Sequence, residues 1–275
     1  MLGLIAGNGN FPLIFTKQAK KKGEKVVAVA LFDETDKSIE NIADKTYWIK
    51  VGQLSRLIEI LKKENVTKCV MAGQVKHTKL FSVKPDFRAI SLLAKLKSKT
   101  ADSILSAVCD ELKKEEIEFL SSATYLSDFI AKKGILTKTK SDKSQKENIE
   151  FGYGIAKEIA KLDIGQTVCV KDKSIVAVEA MEGTDECIKR AGEILKKLGK
   201  GHPMTVVKVA RPNQDMRFDL PVAGASTLRI MAGAGATTLV LEAGKTLILG
   251  MDEFFSAAKE TGITVFGAEN ANSFQ

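Results

Sequence analysis

The stretch "LGLIAGNGNFPLIFTKQAKKKG", from Leu2 to Gly23, decides how the first half of the chain folds. A short apolar run ends on glycine, as a strand buried on both faces in a parallel sheet does. The residues after it have helical periodicity, with Pro12 near the first turn and Gly23 as a stop. Between strand and helix lies "GNGNFP". Gly7 and Gly9 let backbone N–H groups approach an anion closely, and the strand–turn–helix setting is that of a phosphate cradle. Gly7, Gly9 and Asn10 are therefore candidate substrate contacts. Pro12 stands where a dinucleotide fingerprint has its third glycine, so a tight turn opened by an N1 proline explains the same residues. Asp33, just past the second strand, sits where an acid would meet ribose hydroxyls.

Outward from this unit the alternation continues. "EKVVAVALF", "TYWIKV", "KCVMAG" and "IEFLSS" read as strands. "QLSRLIEILKKENV" and the region from about Asp86 to Glu116 read as helical. The fold class is α/β: a Rossmann-like open parallel sheet over residues 1–131. "KKGILTKTKSDKSQKE", residues 132–147, is rich in lysine and serine and reads as a linker. Residues 148–275 form a second, mixed α/β domain. In it "QTVCVKDKSIVAVEAME" is a hairpin turning at Asp172-Lys173, "DECIKRAGEILKKLG" a helix and "MTVVKVA" a strand.

The chain has 275 residues, of which 44% are hydrophobic and 28% charged, enough to bury a core in two domains and stay soluble. No apolar run reaches the roughly 18–20 residues of a membrane span, and "MLGLIAGNGN" reads as a strand rather than a signal peptide. Cys69, Cys109, Cys169 and Cys187 are scattered with no CxxC pair, the usage of a reducing cytoplasm. With only His77 and His202, a histidine-rich metal site is excluded. The net charge of +8 favours a polyanionic partner: nucleic acid, a phosphorylated ligand or an anionic membrane surface. Aromatic residues are too few, and not interleaved with the basic runs, to suggest stacking on single strands.

Three further motifs carry candidate chemistry. "MAGQVKHTKLF" lies at the carboxyl end of the fourth strand, where open sheets bind ligands; Gln74 and Lys76 are candidate substrate contacts there, against an ordinary polar loop. "VEAMEGTDECIKRAGE" places Glu182 and Asp185 near one helix start. They suit a hard, oxygen-liganded ion such as Mg²⁺, with Thr184 and Arg190 as phosphate contacts; a plain cap is the other role of Asp185. "KVARPNQDMRFDLPVAG" alternates Asp215, Arg217 and Asp219 with Met216, Phe218 and Leu220. As an extended strand it would carry a carboxylate–guanidinium–carboxylate ladder on one face, with neighbours roughly 7 Å apart. Lys208 and Gln214 precede it. Such a set serves phosphoryl transfer, where carboxylates hold Mg²⁺ or activate water and cations neutralise charge. A charged edge strand is the structural alternative.

Taken in order, "GLIAGNGNFP", "MAGQVKH", "EAMEGTDECIKRAGE", "KVARPNQDMRFDLPVAG" and "AGKTLIL" resemble the LpxI-type UDP-2,3-diacylglucosamine pyrophosphatases of bacterial lipid A biosynthesis, over essentially the whole chain. The resemblance implies a Mg²⁺-dependent hydrolase. It would split UDP-2,3-diacylglucosamine into UMP and 2,3-diacylglucosamine 1-phosphate (lipid X), by attack on the phosphorus nearer the sugar, with substrate held between two domains. It implies one critical aspartate in "QDMRFD": Asp219 is favoured and Asp215 is the alternative, with Arg217 beside them. Asp215, Asp219, Glu182 and Asp185 are the expected metal ligands. A cytoplasmic enzyme, peripheral on the inner leaflet, is implied as well, with "FSVKPDFRAISLLAKL" against acyl chains, against lipid or in the ordinary core. A homodimer is expected from size. One departure is "TADSILSAV", where Ser103 replaces the second residue of an expected acidic pair. The rival readings are an NAD(P)-dependent oxidoreductase, resting on Gly7, Gly9 and Asp33, and a nucleotide- or RNA-binding module, resting on charge.

Overall fold

The computed structural model describes residues 1–75, 84–98, 100–137, 143–199, 203–212, 215, 217 and 220–270. The chain divides into two compact units, one of Met1–Ser127 with Asp215–Asp219, the other of Asp128–Gln214 with Leu220–Gln275.

In the first unit, β1 (Leu2–Ala6), β2 (Val26–Leu31), β3 (Lys45–Ile49), β4 (Lys68–Ala72) and β5 (Glu118–Phe119) form one parallel sheet in the order β3-β2-β1-β4-β5. β2, "VVAVAL", is buried at every position, which is why it reads as apolar without alternation. The crossovers are α1 (Phe11–Lys21), α2 (Leu54–Lys63), α3 (Phe87–Ala94) and α4 (Ala101–Lys114). The apolar side of α2, Leu54, Leu57, Ile58 and Leu61, joins Val27, Val29, Cys69 and Leu112 in one core. Arg88 of α3 pairs with Glu111 and Glu115 of α4, and Lys62 of α2 reaches Glu115 at 2.8 Å.

In the second unit, β6 (Gly134–Ile135), β7 (Thr167–Lys171), β8 (Ser174–Val178), β9 (Met204–Lys208), β11 (Ala236–Glu242) and β13 (Thr264–Ala268) form a mixed sheet, ordered β6-β13-β11-β9-β7-β8. β9, β11 and β13 are parallel and the rest antiparallel. The hairpin turn falls at Asp172-Lys173, both with positive φ (49° and 53°), the pair of values that a two-residue turn of matching twist needs. β10 (Val222–Ala223) pairs with β12 (Leu247–Ile248) in a separate parallel ribbon. Successive residues of β9 face opposite ways. Met204 and Val206 enter the core made by α6 (Thr184–Lys197), α7 (Ala225–Ala234) and α8 (Met251–Thr261), while Val207 packs against α5 (Lys143–Lys161).

The stretch 132–147 is not a free connection. Ile135 pairs with Phe266 and Gly134 with Gly267, Leu136 N–H donates to the Val265 carbonyl at 2.9 Å, and α5 begins at Lys143. An edge strand draws on backbone hydrogen bonds and tolerates lysine, so composition hid it. Among the described residues no helix is long and apolar enough to cross a membrane.

The α2–α3–α4 ion pairs set an acid limit. Hydrogen bonds from Lys62 and Arg88 hold the Glu115 carboxyl down at about 2, against about 4.3 for an unfolded glutamate. A depressed folded value contributes stability that is full above about 4.3 and is lost as pH falls towards 2. Thermal unfolding followed from pH 7 to pH 2 should show Tm falling through that window, and Glu115→Gln should lose less over it; equal losses would remove Glu115 as a source of the acid sensitivity.

Candidate functional site

The strand order of the first unit reverses between β1 and β4, and ligands of open α/β sheets bind in the crevice at such a point. Two motifs from the sequence meet there. Asn8 N–H donates to the Gln74 carbonyl at 2.7 Å and Gln74 N–H returns to Asn8 at 3.3 Å. A Cβ on Gly7 would come within 2.6 Å of the Gln74 oxygen, and one on Gly73 (φ +89°) within 2.6 Å of the Asn8 oxygen. Gly7 thus serves the contact between two turns of backbone. Gly9 is different: nothing lies within 4 Å of a Cβ placed on it. Asn10 occupies the N-cap of α1, and its side chain does not bond the first-turn amides; N–H groups at a helix start are donors for water or an anion.

The acid facing this turn is Glu34, not Asp33. Asp33 is exposed in a left-handed turn (φ 62°), whereas Glu34 is 5% exposed and accepts from Asn8 Nδ2 at 3.3 Å. Thr35 sets this register: its hydroxyl donates to the Ala6 carbonyl at 2.5 Å and accepts from Leu31 N–H at 2.9 Å. "FDET" holds two acids in a row, and only that anchor says which one turns inward.

In the second unit a buried polar group gathers at the start of α6. Lys208 ends β9 and is 8% exposed; its Nζ donates to Thr184 Oγ1 at 2.9 Å. Thr184 donates in turn to Glu179 Oε1 at 2.9 Å, and Thr167 Oγ1 lies 3.3 Å from Thr184 Oγ1. The Lys208 cation stands where the α6 dipole is also positive, a combination that attracts an anion. Arg190, Glu182 and Asp185 lie nearby but are engaged. Arg190 donates to the Val178 carbonyl at 2.8 Å and pairs with Glu182, which also accepts from Ala180 N–H at 3.0 Å. Arg190 holds the Glu182 carboxyl below its ordinary range. Asp185 accepts from Thr227 at 3.1 Å. Glu182 and Asp185, expected as ligands of a hard cation, are thus each tied to the β8–α6 turn or to α7. No three His, Cys, Asp or Glu side chains are arranged to hold a metal among the described residues.

Two residues that sequence reasoning missed, Glu242 and Lys157, brace the start of the loop after β9. Glu242, buried at the end of β11, accepts from Lys157 at 3.0 Å, Lys245 at 2.8 Å and Ala210 N–H at 2.8 Å. Lys157 also donates to the Ala210 carbonyl at 3.0 Å. Burial pushes the Glu242 carboxyl up, but the two lysines and the amide outweigh it and hold the carboxyl below its ordinary range. Nothing in "LVLEAGK" or "GIAKEIAK" distinguishes these two residues from surface charges.

Of the expected ladder, Asp215 and Arg217 are among the described residues. Arg217 folds back on Asp215: its N–H donates to Oδ1 at 3.0 Å, and its guanidinium donates to Oδ1 at 2.9 Å and to Oδ2 at 2.6 Å. A short-range acid–base pair closes a turn more readily than it holds alternate positions of a strand. Residues Asp215–Asp219 also group with the first unit, not with the core of the second. There the two charges act on the buried Cys109 thiol of α4, which burial above all pushes up to about 12. Arg217 holds the Asp215 carboxyl below its ordinary range, so it is ionised at neutral pH. Lys76, Gln214, Met216, Phe218 and Asp219 lie outside the described residues.

Comparison with known proteins matches residues 1–129 to the LpxI N-terminal domain and residues 132–266 to the LpxI C-terminal domain. The chain belongs to the LpxI family. A relative in Caulobacter vibrioides, UDP-2,3-diacylglucosamine pyrophosphatase LpxI, is 28% identical over 98% of this chain and 97% of its own length. A crystal structure of a biotin carboxylase complex from Campylobacter jejuni aligns over 72% of this chain and 42% of its own, at 14% identity and a TM-score of 0.24, too low to bear on fold or function.

In this LpxI chain Ser103 works as part of a helix cap. Its hydroxyl is 2.8 Å from that of Thr100, the N-cap of α4, whose oxygen also accepts Ser103 N–H at 3.3 Å. The Glu242 brace gives a test of how the β9 loop is held. Glu242→Leu removes the partner of two partly exposed lysines and of a buried amide, and should cost about 2 kcal/mol in urea unfolding. A loss under about 0.5 kcal/mol, the scale of an ordinary surface change, would show that the loop stands without it.

Proposed function

We propose that this LpxI chain is a UDP-2,3-diacylglucosamine pyrophosphatase. Water adds to the phosphorus nearer the sugar, the bond from that phosphorus to the bridging oxygen breaks, and UMP leaves, so that 2,3-diacylglucosamine 1-phosphate remains. The observation that carries this reading is the match of both halves of the chain to the family's two domains, with a relative named for that activity aligned over 98% of it.

The geometry supports it in particulars. Pyrophosphate cleavage has little covalent chemistry for a protein to perform and depends on positioned charge. Lys208, oriented by Thr184 at the α6 N-terminus, supplies a buried cation for a phosphate oxygen. In the first unit, taken by itself, the N-terminus of α1 beside Gly9 is a turn of the kind that binds phosphate. Water activation falls to Asp219, with Asp215 as the alternative. Asp215 is ionised, as that role needs, but it is engaged with Arg217. Among the described residues no three carboxylates gather around one point; a Mg²⁺ requirement would fall to Asp215 and Asp219, or to Glu182 and Asp185. The substrate is a lipid of the inner leaflet, reached from the cytoplasm.

The test is release of UMP and lipid X from purified protein and substrate, with Mg²⁺ and with EDTA. Asp219→Ala should abolish release with folding intact; near-normal turnover would move the role to Asp215. Lys208→Met should lower kcat/KM by about 10²-fold, the scale of one lost charge-stabilising donor. A change under about threefold would take Lys208 out of the site.

A further inference from the structure

The outer face of α3 is a second surface with its own chemistry, and we propose that it docks the protein on an anionic lipid bilayer. This rests on the pyrophosphatase reading only in that the substrate is a membrane lipid. The helix is firmly held from its inner side. Ala89 is buried, Leu92 packs on the core, Arg88 pairs with Glu111 and Glu115, and Asp86 takes Ala89 N–H at 2.9 Å and Ser55 N–H at 2.7 Å. The opposite side is apolar and uncovered. Phe87 is 85% exposed and Ile90 52% exposed, and Ala94 is exposed as well. At 3.6 residues per turn these three fall within about 60° of one another.

The rim identifies the partner. Residues 84–98 hold four cations, Lys84, Arg88, Lys95 and Lys97, and one carboxylate, Asp86. Lys84, Lys95 and Lys97 are exposed, while Asp86 is engaged by two amides. Of the acids that α4 brings against α3, Glu111 and Glu115 are taken by Arg88, Lys114 and Lys62, and Asp110, exposed on the cleft beside Lys95, leaves the rim net positive. A net positive rim around an aromatic and an aliphatic side chain matches an anionic headgroup layer over acyl chains. A second copy of the chain fits poorly, because a two-fold contact through this face would set one cationic rim against the other.

Flotation with vesicles of phosphatidylethanolamine and phosphatidylglycerol (3:1), and with phosphatidylcholine vesicles, tests the surface. The native protein should float with the anionic vesicles about tenfold more than with the neutral ones. Phe87→Ser/Ile90→Ser should lose most of that binding yet hydrolyse detergent-dispersed substrate at the native rate, while its rate on vesicle-embedded substrate falls about tenfold. Lys84→Gln/Lys95→Gln/Lys97→Gln should lose the preference for anionic lipid. Failure of the native protein to float, or flotation of the Phe87/Ile90 variant like the native protein, overturns the proposal. A fall in that variant's mass by light scattering with unchanged flotation overturns it in favour of self-association. If the native protein leaves even detergent-dispersed substrate intact, the pyrophosphatase reading fails, and flotation still decides the surface by itself.

Discussion

The contact between the turns that come after β1 and β4 is the constraint on which the first unit depends. The two strands are neighbours in the sheet, yet the chain leaves them in sequence order β1-β2 and β4-β5, so their turns diverge to opposite sides. The turns cross at backbone distance, with Asn8 and Gln74 exchanging hydrogen bonds. Only residues without a Cβ fit at positions 7 and 73. The same crossing presents Asn8 to Glu34 and leaves space beside Gly9 at the start of α1. One steric requirement therefore shapes the crevice, places its acid and spaces its donors.

The second unit reaches a comparable result by burying charge. Lys208 and Glu179 lie on one face of the sheet with Thr184 between them; Glu242 and Lys157 lie on the other and grip the backbone at Ala210. Buried ions add little net stability over an apolar core, because desolvation offsets their attraction. What they provide is position. Between them these groups define the residues just before and after the end of β9, from which the chain runs towards Asp215.

Much of the fold was legible in the sequence because its signals are local. Continuous apolar runs marked β1, β2 and β4, the Asp172-Lys173 turn marked the hairpin, and leucine spacing marked α2. The site was legible in part. "GNGNFP" and "MAGQ" were recognised separately, and Lys208 and Thr184 were recognised without their contact. Glu34 was missed in favour of Asp33, and Glu242 and Lys157 were missed altogether. At Asp215 the alternation put Arg217 on the same face, but the return of the Arg217 N–H to the Asp215 carboxylate was not foreseen. The edge strand β6 went unseen because its pairing involves backbone alone.

By itself the sequence determined the parallel α/β order of the first half, the mixed second half, a basic surface and, through its long motifs, membership of the LpxI family. These come from periodicity, composition and ordered identity, which need no third dimension. Only the tertiary structure decided which of two adjacent acids faces the crevice, which carboxylates are engaged by arginine or threonine, and which side of α3 is exposed. Each depends on contacts between residues tens of positions apart, such as Thr35 with Ala6, Lys208 with Thr184 and Arg88 with Glu115. Long-range geometry sets those contacts, and no local pattern encodes them.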